Sequence, residues 1–267
     1  MVGRAAEAVR GAEALVVGAG AGMGVDSGLP DFRGPAGFWR AYPAYAKLGL
    51  RFEELANPSW FRTDPALAWG FYGHRMNLYR RTPPHQGFAI VRRWAERMAG
   101  GLFAVTSNID GHFQRAGVPA ERVLEVHGAL DWLQCTRCGV PPFAAPPGEI
   151  DVDETTFRAR EPFPRCGCGA LARPNVLMFG DHDWEGARTE GQEARFQAWL
   201  RGVTGRLVVV ECGAGTAIPS IRRACEALTA RPGATLIRIN PREPEAPRGA
   251  LSFAAGALET LRAIDQV

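Results

Sequence analysis

Four cysteines are grouped near the middle of the chain, as Cys135-x-x-Cys138 and Cys166-x-Cys168. Two closely spaced pairs of thiolates are a common donor set for a tetrahedral Zn²⁺ ion. The second pair is one residue shorter than usual, and Gly167 between its cysteines permits a tighter turn. A site closed by four sulfurs leaves no open position for a substrate, so the spacing predicts a structural zinc ion.

His127, in the segment Glu125-Val126-His127-Gly128, is the residue best suited to proton transfer. A neutral imidazole near physiological pH can take a proton from a hydroxyl group. A lone histidine is more often structural than catalytic. Its place after an apolar run, with a glycine beside it that leaves room for a substrate, favours the catalytic interpretation.

A glycine-rich turn, with Gly20, Ala21 and Gly22 at its centre, follows the first apolar run of the chain. A strand, such a turn and a helix in this order place backbone N–H groups against a phosphate, and glycine allows close approach. The spacing departs from the usual dinucleotide fingerprint, because Val25 stands where a third glycine is expected. The turn therefore predicts a phosphate site, with a tight turn that binds nothing as the alternative.

Two further segments carry polar groups that suit a nucleotide. The loop after the glycine turn contains Phe32 and Arg33, which could shield a reactive carbon from water and pair with phosphate. Asn108 and Asp110 follow another apolar run and offer donors and acceptors for a carboxamide or for ribose hydroxyls. The alternatives are an ordinary connecting loop and helix N-capping, respectively.

Apolar runs alternate with helical patterns along most of the chain. Strands are predicted at 14–17, 102–106, 123–126, 176–179, 207–210 and 235–239, and helices at 109–116, 218–228 and 258–264. This alternation predicts an α/β fold with a Rossmann-like parallel sheet and helices on both faces. Residues 35–84 and 131–174 interrupt it, and we expect them to form a smaller domain, a helical module plus the zinc ribbon. The larger domain would then comprise 1–34, 85–130 and 175–267.

Composition limits the classes of partner. The net charge of +3 is too small to indicate nucleic-acid or membrane binding, and no apolar run is long enough for a membrane span. The N-terminus reads as an amphipathic stretch and not as a signal peptide. Clustered cysteines in such a chain favour metal binding over disulfides. We therefore expect a cytoplasmic protein with no membrane partner and no specific nucleic-acid partner.

Taken together, the motifs resemble those of the sirtuins, the NAD-dependent protein lysine deacylases. The resemblance spans most of the chain and keeps the order of the family's motifs. The matching segments are 20–23 with 27–34, 106–110, 127–128, the four cysteines, 173–181 and 239–241.

The resemblance implies two bound groups, NAD and Zn²⁺, and acyl-lysine proteins as substrates. It assigns NAD binding to Gly20, Ala21, Gly22, Ser27, Asp31, Phe32, Arg33, Ser107, Asn108, Asp110, Gly213 and Asn240. It assigns the acyl-lysine backbone to Val176, Phe179 and Gly180, and the metal to Cys135, Cys138, Cys166 and Cys168.

The implied mechanism has three catalytic residues, His127, Asn108 and Asp110. Asn108 and Asp110 position the nicotinamide and its ribose, the acyl oxygen attacks the ribose carbon, and nicotinamide leaves. His127 then takes a ribose hydroxyl proton, and that oxygen attacks the acyl carbon. The products are free lysine, nicotinamide and O-acyl-ADP-ribose.

Tyr72 and Arg75 fit the Tyr-x-x-Arg pattern of sirtuins that remove acidic acyl groups such as succinyl. Arg75 could pair bidentately with a terminal carboxylate, and Tyr72 could add a hydroxyl donor. The alternative is a helix with a buried aromatic residue and a solvated arginine.

Several positions depart from the family's pattern. Ser107 stands in place of its Gln, Gly24-Val25 in place of its Ser-Ala, and Gly213-Ala214-Gly215-Thr216 near its Gly-Thr-Ser. Two other classes of function therefore stay open. The first is a mono-ADP-ribosyltransferase or NAD hydrolase, and the second is a non-catalytic module that binds NAD or ADP-ribose.

Overall fold

The computed structural model describes residues 1–30, 42–43 and 49–267. The strands of this part of the chain are β1 (Ala14–Ala19), β2 (Gly101–Thr106), β3 (Val123–Glu125), β4 (Gly128–Cys135), β5 (Phe143–Ala144), β6 (Val152–Asp153), β7 (Arg158–Ala159), β8 (Ala172–Val176), β9 (Leu207–Cys212), β10 (Thr235–Ile239) and β11 (Leu251–Phe253).

The helices described along their whole length are α1 (Val2–Arg10), α2 (Ala21–Val25), α3 (Phe52–Leu55), α4 (Trp60–Thr63), α5 (Pro65–Arg81), α6 (Gln86–Ala95), α7 (His112–Arg115), α8 (Ala187–Gly202), α9 (Ser220–Leu228) and α10 (Ala257–Asp265). None of them is long and apolar enough to cross a membrane.

Six parallel strands form the main sheet in the order β11-β10-β9-β1-β2-β3. Successive residues of the central strand β1 enter different cores: Leu15 and Val17 pack with α1, α6 and α10, whereas Ala14 and Val16 pack with α8 and α9. Burial on both faces explains why these strands are continuous apolar runs. The predicted parallel sheet with helices on both faces is confirmed.

A second, antiparallel sheet joins β4 to β5 and β8, and β6 and β7 form a short hairpin. These strands and the long helix α5 surround a third hydrophobic core, centred on Trp69, Phe71 and Tyr72. Helix α5 begins at Pro65, where the side chain of Asp64 accepts a hydrogen bond from the Leu67 amide. Because this core is separate from the two cores of the main sheet, the structure supports a larger and a smaller unit. The boundaries between the two units stay a prediction.

Two predicted elements differ from the observed ones, and an edge strand of the main sheet is not predicted. The apolar run at 176–179 does not enter the parallel sheet: β8 ends at Val176 and pairs antiparallel with β4, and the following side chains turn toward a cavity. The helix predicted at 109–116 is only His112–Arg115, because Gly111 has a φ of +67° and starts a new turn. The edge strand Leu251–Phe253 has only three residues, and no apolar run as long as those of the predicted strands marks it in the sequence.

Candidate active site

A cavity of about 740 Å³ lies at the carboxyl ends of the parallel strands. The loops after β1, β2, β3 and β9 reach it from the main sheet, and helix α5 and the loop after β8 reach it from the second unit. Ligands bind at this edge in open α/β sheets, and the volume is typical of a small-molecule site. Sequence-predicted residues that line it are Gly20, Ala21, Tyr72, Arg75, Ser107, Asn108, Asp110, His127, Val176, Phe179 and Gly213.

The glycine turn after β1 packs directly against the loop after β9. A Cβ atom on Gly20 would lie 2.7 Å from the Cα of Ala214, and one on Gly22 would lie 2.7 Å from the Cα of Gly213. These glycines are therefore required for contact between two backbone segments, a reason that the sequence pattern did not indicate. Gly20 and Gly213 reach the cavity, whereas Gly22 lies outside its lining.

Asn108 and Asp110 are fixed by hydrogen bonds with the backbone. The side-chain amide of Asn108 donates to the Gly20 carbonyl at 3.0 Å, which ties the loops after β1 and β2 together. The Oδ1 atom of Asp110 accepts from the His112 amide at 2.9 Å. Asp110 is only 8% exposed, and burial raises the pKa of its carboxyl from 3.8 to about 6. The group can therefore exchange a proton within the near-neutral range.

His127 lies at the turn between β3 and β4, and backbone hydrogen bonds hold this turn on two sides. The amide of Val126 donates to the Thr106 carbonyl at 2.9 Å, and the His127 carbonyl accepts from the Leu177 amide at 3.0 Å. Burial lowers the pKa of the imidazole below its ordinary value, and a hydrogen bond between the ring and the Ser107 backbone opposes this shift. The neutral ring is the form that can act as a base at pH 7.

Gly128 has a different role from the one predicted. Its φ is +75°, and a Cβ atom there would collide with the carbonyl oxygen of Asn175 on the neighbouring strand β8. Gly128 does not line the cavity. The glycine therefore allows β4 and β8 to approach next to His127, and does not make room for a substrate.

Tyr72, Arg75 and Tyr79 project from α5 into the cavity. Arg75 is 7% exposed, so its guanidinium is not the solvated group of the alternative interpretation. Its Nε and Nη2 atoms donate to the Tyr79 hydroxyl at 3.2 and 2.8 Å. Its guanidinium carbon also lies 5.3 to 5.9 Å from the ring centres of Phe52, Phe71 and Tyr79. A buried cation in this position can attract an acidic group.

The loop after β8 forms the opposite wall of the cavity. Leu177 and Phe179 are partly exposed at its surface, and the Phe179 amide donates to the Ala56 carbonyl at 2.9 Å. A buried ion pair closes the loop: Arg173 donates to both carboxylate oxygens of Asp181 at 2.7 and 2.8 Å. Gly180 lies outside the cavity lining.

Two other predicted cofactor residues also lie outside the lining. The Ser27 hydroxyl accepts a hydrogen bond from the His85 amide at 2.9 Å. Asn240 is buried and donates to the Ala214 carbonyl at 2.9 Å, which supports the loop after β9 from below. Asp31, Phe32 and Arg33 lie outside the described residues.

Sequence reasoning missed other cavity residues. Tyr79 follows Arg75 by one helical turn, so the i, i+4 spacing could have identified it. Glu243 also lines the cavity and accepts hydrogen bonds from the amide and hydroxyl of Thr216. Thr216 and Glu243 come from different loops, and no sequence pattern connects them.

The four cysteines of the second unit converge as predicted, with all four sulfurs within 4.8 Å of one another. The Cys135 and Cys168 sulfurs are 3.7 Å apart, and those of Cys138 and Cys166 are 3.6 Å apart. Sulfurs bound at about 2.3 Å to a tetrahedral Zn²⁺ ion would be about 3.8 Å apart. The amides of Arg137 and Cys138 also point at the Cys135 sulfur, both at 3.3 Å. This donor set fits a structural zinc ion.

The fold and the cavity define a Rossmann-like nucleotide-binding protein with a small metal-ribbon unit. Its family follows from comparison with known proteins, since the model of the Sir2 family matches residues 20–195. The chain belongs to the Sir2 family.

Relatives from distant organisms are similar over much of the chain. The NAD-dependent protein deacylase 1 of Caldanaerobacter subterraneus is 30% identical over 246 residues, which cover 91% of this chain and 89% of that protein. The NAD-dependent protein deacylase of Methylococcus capsulatus is 34% identical over 238 residues, 88% of this chain and 84% of that protein. The mitochondrial NAD-dependent protein deacylase sirtuin-5 of Canis lupus familiaris is 34% identical over 187 residues, and this chain spans only 57% of its length.

Solved structures show the same fold. A Sir2 homologue in complex with NAD is 27% identical and superposes with a TM-score of 0.72, covering 99% of this chain and 92% of that chain. A substituted Sir2 homologue in complex with ADP ribose is also 27% identical, with a TM-score of 0.71 and coverage of 98% and 94%.

Proposed function

We propose that this protein is an NAD-dependent protein lysine deacylase that releases nicotinamide and O-acyl-ADP-ribose. One observation carries the proposal: His127, Asn108 and Asp110 line the same cavity as the arginine-bearing helix α5 and the loop after β8. A cofactor half and a substrate half therefore meet at a single base. Family membership and the activities named for the relatives support this function.

The cofactor would occupy the half of the cavity formed by the glycine turn and by the loops after β2 and β9. NAD supplies a ribose carbon that becomes electrophilic when nicotinamide leaves. Asn108, held by the Gly20 carbonyl, and Asp110, buried beside it, would orient the nicotinamide ribose. His127 would then accept a hydroxyl proton, because its lowered pKa keeps the ring neutral at physiological pH.

The substrate half favours an acyl group that ends in a carboxylate, such as succinyl. Arg75 is a buried cation that lines the cavity, and the Tyr79 hydroxyl takes hydrogen bonds from two of its N–H groups. A carboxylate could accept bidentate, charge-assisted hydrogen bonds from the guanidinium, whereas an acetyl group has no anionic oxygen to offer it. Leu177 and Phe179, partly exposed at the opposite wall, would contact the lysine-bearing peptide.

The metal and the compartment complete the proposal. Zn²⁺ would be held by the four clustered cysteines as a structural ion. A cytoplasmic location is consistent with a zinc-thiolate site and with the buried free thiols of Cys212 and Cys225, since thiols persist in a reducing compartment. Acylated proteins are the proposed partners.

The test is mass spectrometry of paired acetyl-lysine and succinyl-lysine peptides incubated with the protein and NAD. We expect preferential loss of the succinyl group, with O-succinyl-ADP-ribose as coproduct, and loss of this preference in Arg75→Met. Preferential removal of acetyl groups would refute the acidic-acyl assignment. Release of nicotinamide with neither acyl group transferred would refute the deacylase assignment and favour ADP-ribosyl transfer or NAD hydrolysis.

A further inference from the structure

Glu125, two residues before His127, is the centre of a buried hydrogen-bond network. Its side chain accepts from Gln114 at 3.0 Å, from Gln192 at 3.2 Å and from the Arg188 guanidinium. Its amide donates to Gln192 Oε1 at 3.0 Å, and its carbonyl accepts from the Thr189 hydroxyl at 3.1 Å. Glu125 is 1% exposed, and a buried carboxylate requires such partners.

Glu125 lies at the end of an edge strand, where the side-chain network takes the place of missing backbone hydrogen bonds. Strand β3 is the edge of the main sheet, has only three residues and pairs with β2 alone. The end of so short an edge strand has few backbone hydrogen bonds to hold it in place. Three side chains of helix α8, from Arg188, Thr189 and Gln192, contact this end directly.

Arg188 also contacts the strand on the other side of His127. Its guanidinium carbon lies 4.8 Å from the ring centre of Trp132, on β4. One side chain thus holds the strand that ends before His127 and the strand that begins after it. Glu125 and Arg188 do not line the cavity, so neither touches the substrate.

We propose that Glu125 and Arg188 are positioning residues that hold the His127 turn in the geometry required for proton transfer. The inference rests on the proposed function, because it concerns the proton that His127 accepts. A displacement of about 1 Å at a catalytic group can reduce a rate about a hundredfold. His127 acts after nicotinamide has left, so loosening it should slow acyl transfer and spare nicotinamide release.

The experiment compares Glu125→Gln and Arg188→Met with the unsubstituted full chain. Deacylation of the succinyl-lysine peptide and exchange of labelled nicotinamide are measured on the same samples, together with the KM for NAD. We expect deacylation to fall about tenfold to a hundredfold, and nicotinamide exchange and the KM for NAD to change by less than about threefold. Arg188→Lys, which keeps the charge but not the planar fork, should recover part of the activity.

The control is Asp265→Asn, which removes hydrogen bonds to Arg93 and Trp94 at a site away from the cavity. It should leave the ratio of the two rates unchanged. Equal losses of deacylation and exchange in Glu125→Gln would overturn the proposal, because a displaced His127 turn should spare nicotinamide exchange.

A second readout does not depend on activity. The chain has five histidines, so the His127 ring can be assigned by NMR with His127→Ala and titrated. We expect Glu125→Gln to move the His127 resonance or its pKa and Asp265→Asn to leave both unchanged; an unaffected His127 would refute the positioning role. If the unsubstituted protein transferred no acyl group, the proposed function would fail, and this titration would still decide the positioning role.

Discussion

Asp110→Asn should make the protein more stable at pH 8 and less active. Burial raises the pKa of this carboxyl to about 6, so the charged form, which prevails at pH 8, is the unfavourable one in the folded state. Asparagine has the same shape and keeps an oxygen that can accept from the His112 amide, now at 2.9 Å from Oδ1. The substitution therefore removes the cost of a buried charge and retains the hydrogen bond.

The magnitude follows from the shift in pKa. A change from 3.8 to about 6 corresponds to about 3 kcal/mol in the free energy of unfolding. The sign is set by proton binding: between about pH 4 and about pH 6 the folded state keeps a proton that the unfolded chain has lost. Stability therefore falls as pH rises through this window, and the gain from Asp110→Asn should be largest above it.

Urea unfolding at pH 8 and at pH 4 measures the difference directly. We expect a gain approaching about 3 kcal/mol at pH 8 and a small difference at pH 4. Asp181→Asn provides a matched contrast, because this buried carboxylate pairs with Arg173. Breaking such a pair costs about 3–5 kcal/mol, so the same chemical change should destabilise the protein there.

Two results would refute this reasoning. A loss of stability in Asp110→Asn at pH 8 would mean that the carboxylate is stabilised by its surroundings. A gain that does not depend on pH would mean that the effect has a cause other than ionisation.

Three further predictions concern activity and metal. Tyr79→Phe removes the hydroxyl that accepts from Arg75, so kcat/KM for the succinyl peptide should fall about tenfold to a hundredfold while that for the acetyl peptide stays within about twofold; equal losses would contradict this. His127→Ala should block deacylation and leave some nicotinamide release, which paired assays of both products would detect; full deacylation would remove His127 from the mechanism. The purified protein should carry about one zinc ion per chain, and chelation should unfold the cysteine-bearing unit, whereas metal analysis of folded protein without zinc would exclude the site.

The sequence predicted the parts of the fold in which burial alone decides the structure. The strands β1, β2, β9 and β10 are buried on both faces and were found from their apolar runs. The run at 176–179 predicts a strand of the same sheet, because apolar residues that line a cavity have the same composition as a buried strand. Only the pairing of Val176 with Gly128 distinguishes them, and that pairing is a tertiary contact.

The sequence places the main candidate residues at strand ends but does not contain the contacts that support them, and their catalytic roles stay a prediction. Asn108, Asp110 and His127 follow strands whose ends can be located from sequence, and the structure brings them to one cavity. Ser27 and Asn240 carry polar groups that would equally suit a ligand, yet the described structure uses them to hold loops together. These hydrogen bonds join distant segments, so local patterns do not contain them, and the cofactor contacts of both residues stay a prediction.

Strands β4 and β8 run from the cysteine cluster to the His127 turn. Strand β4 begins at Gly128, beside His127, and ends at Cys135; on β8, Val176 pairs with Gly128 and Ala172 pairs with Cys135. Over eight residues, a strand spans roughly 26 Å. An oxidant that converts these cysteines to disulfides would disrupt the pairing of β4 and β8 at one end, and the His127 turn lies at the other end. Oxidation of the cysteines would then lower the proposed deacylase activity while every residue of the cavity stays chemically intact.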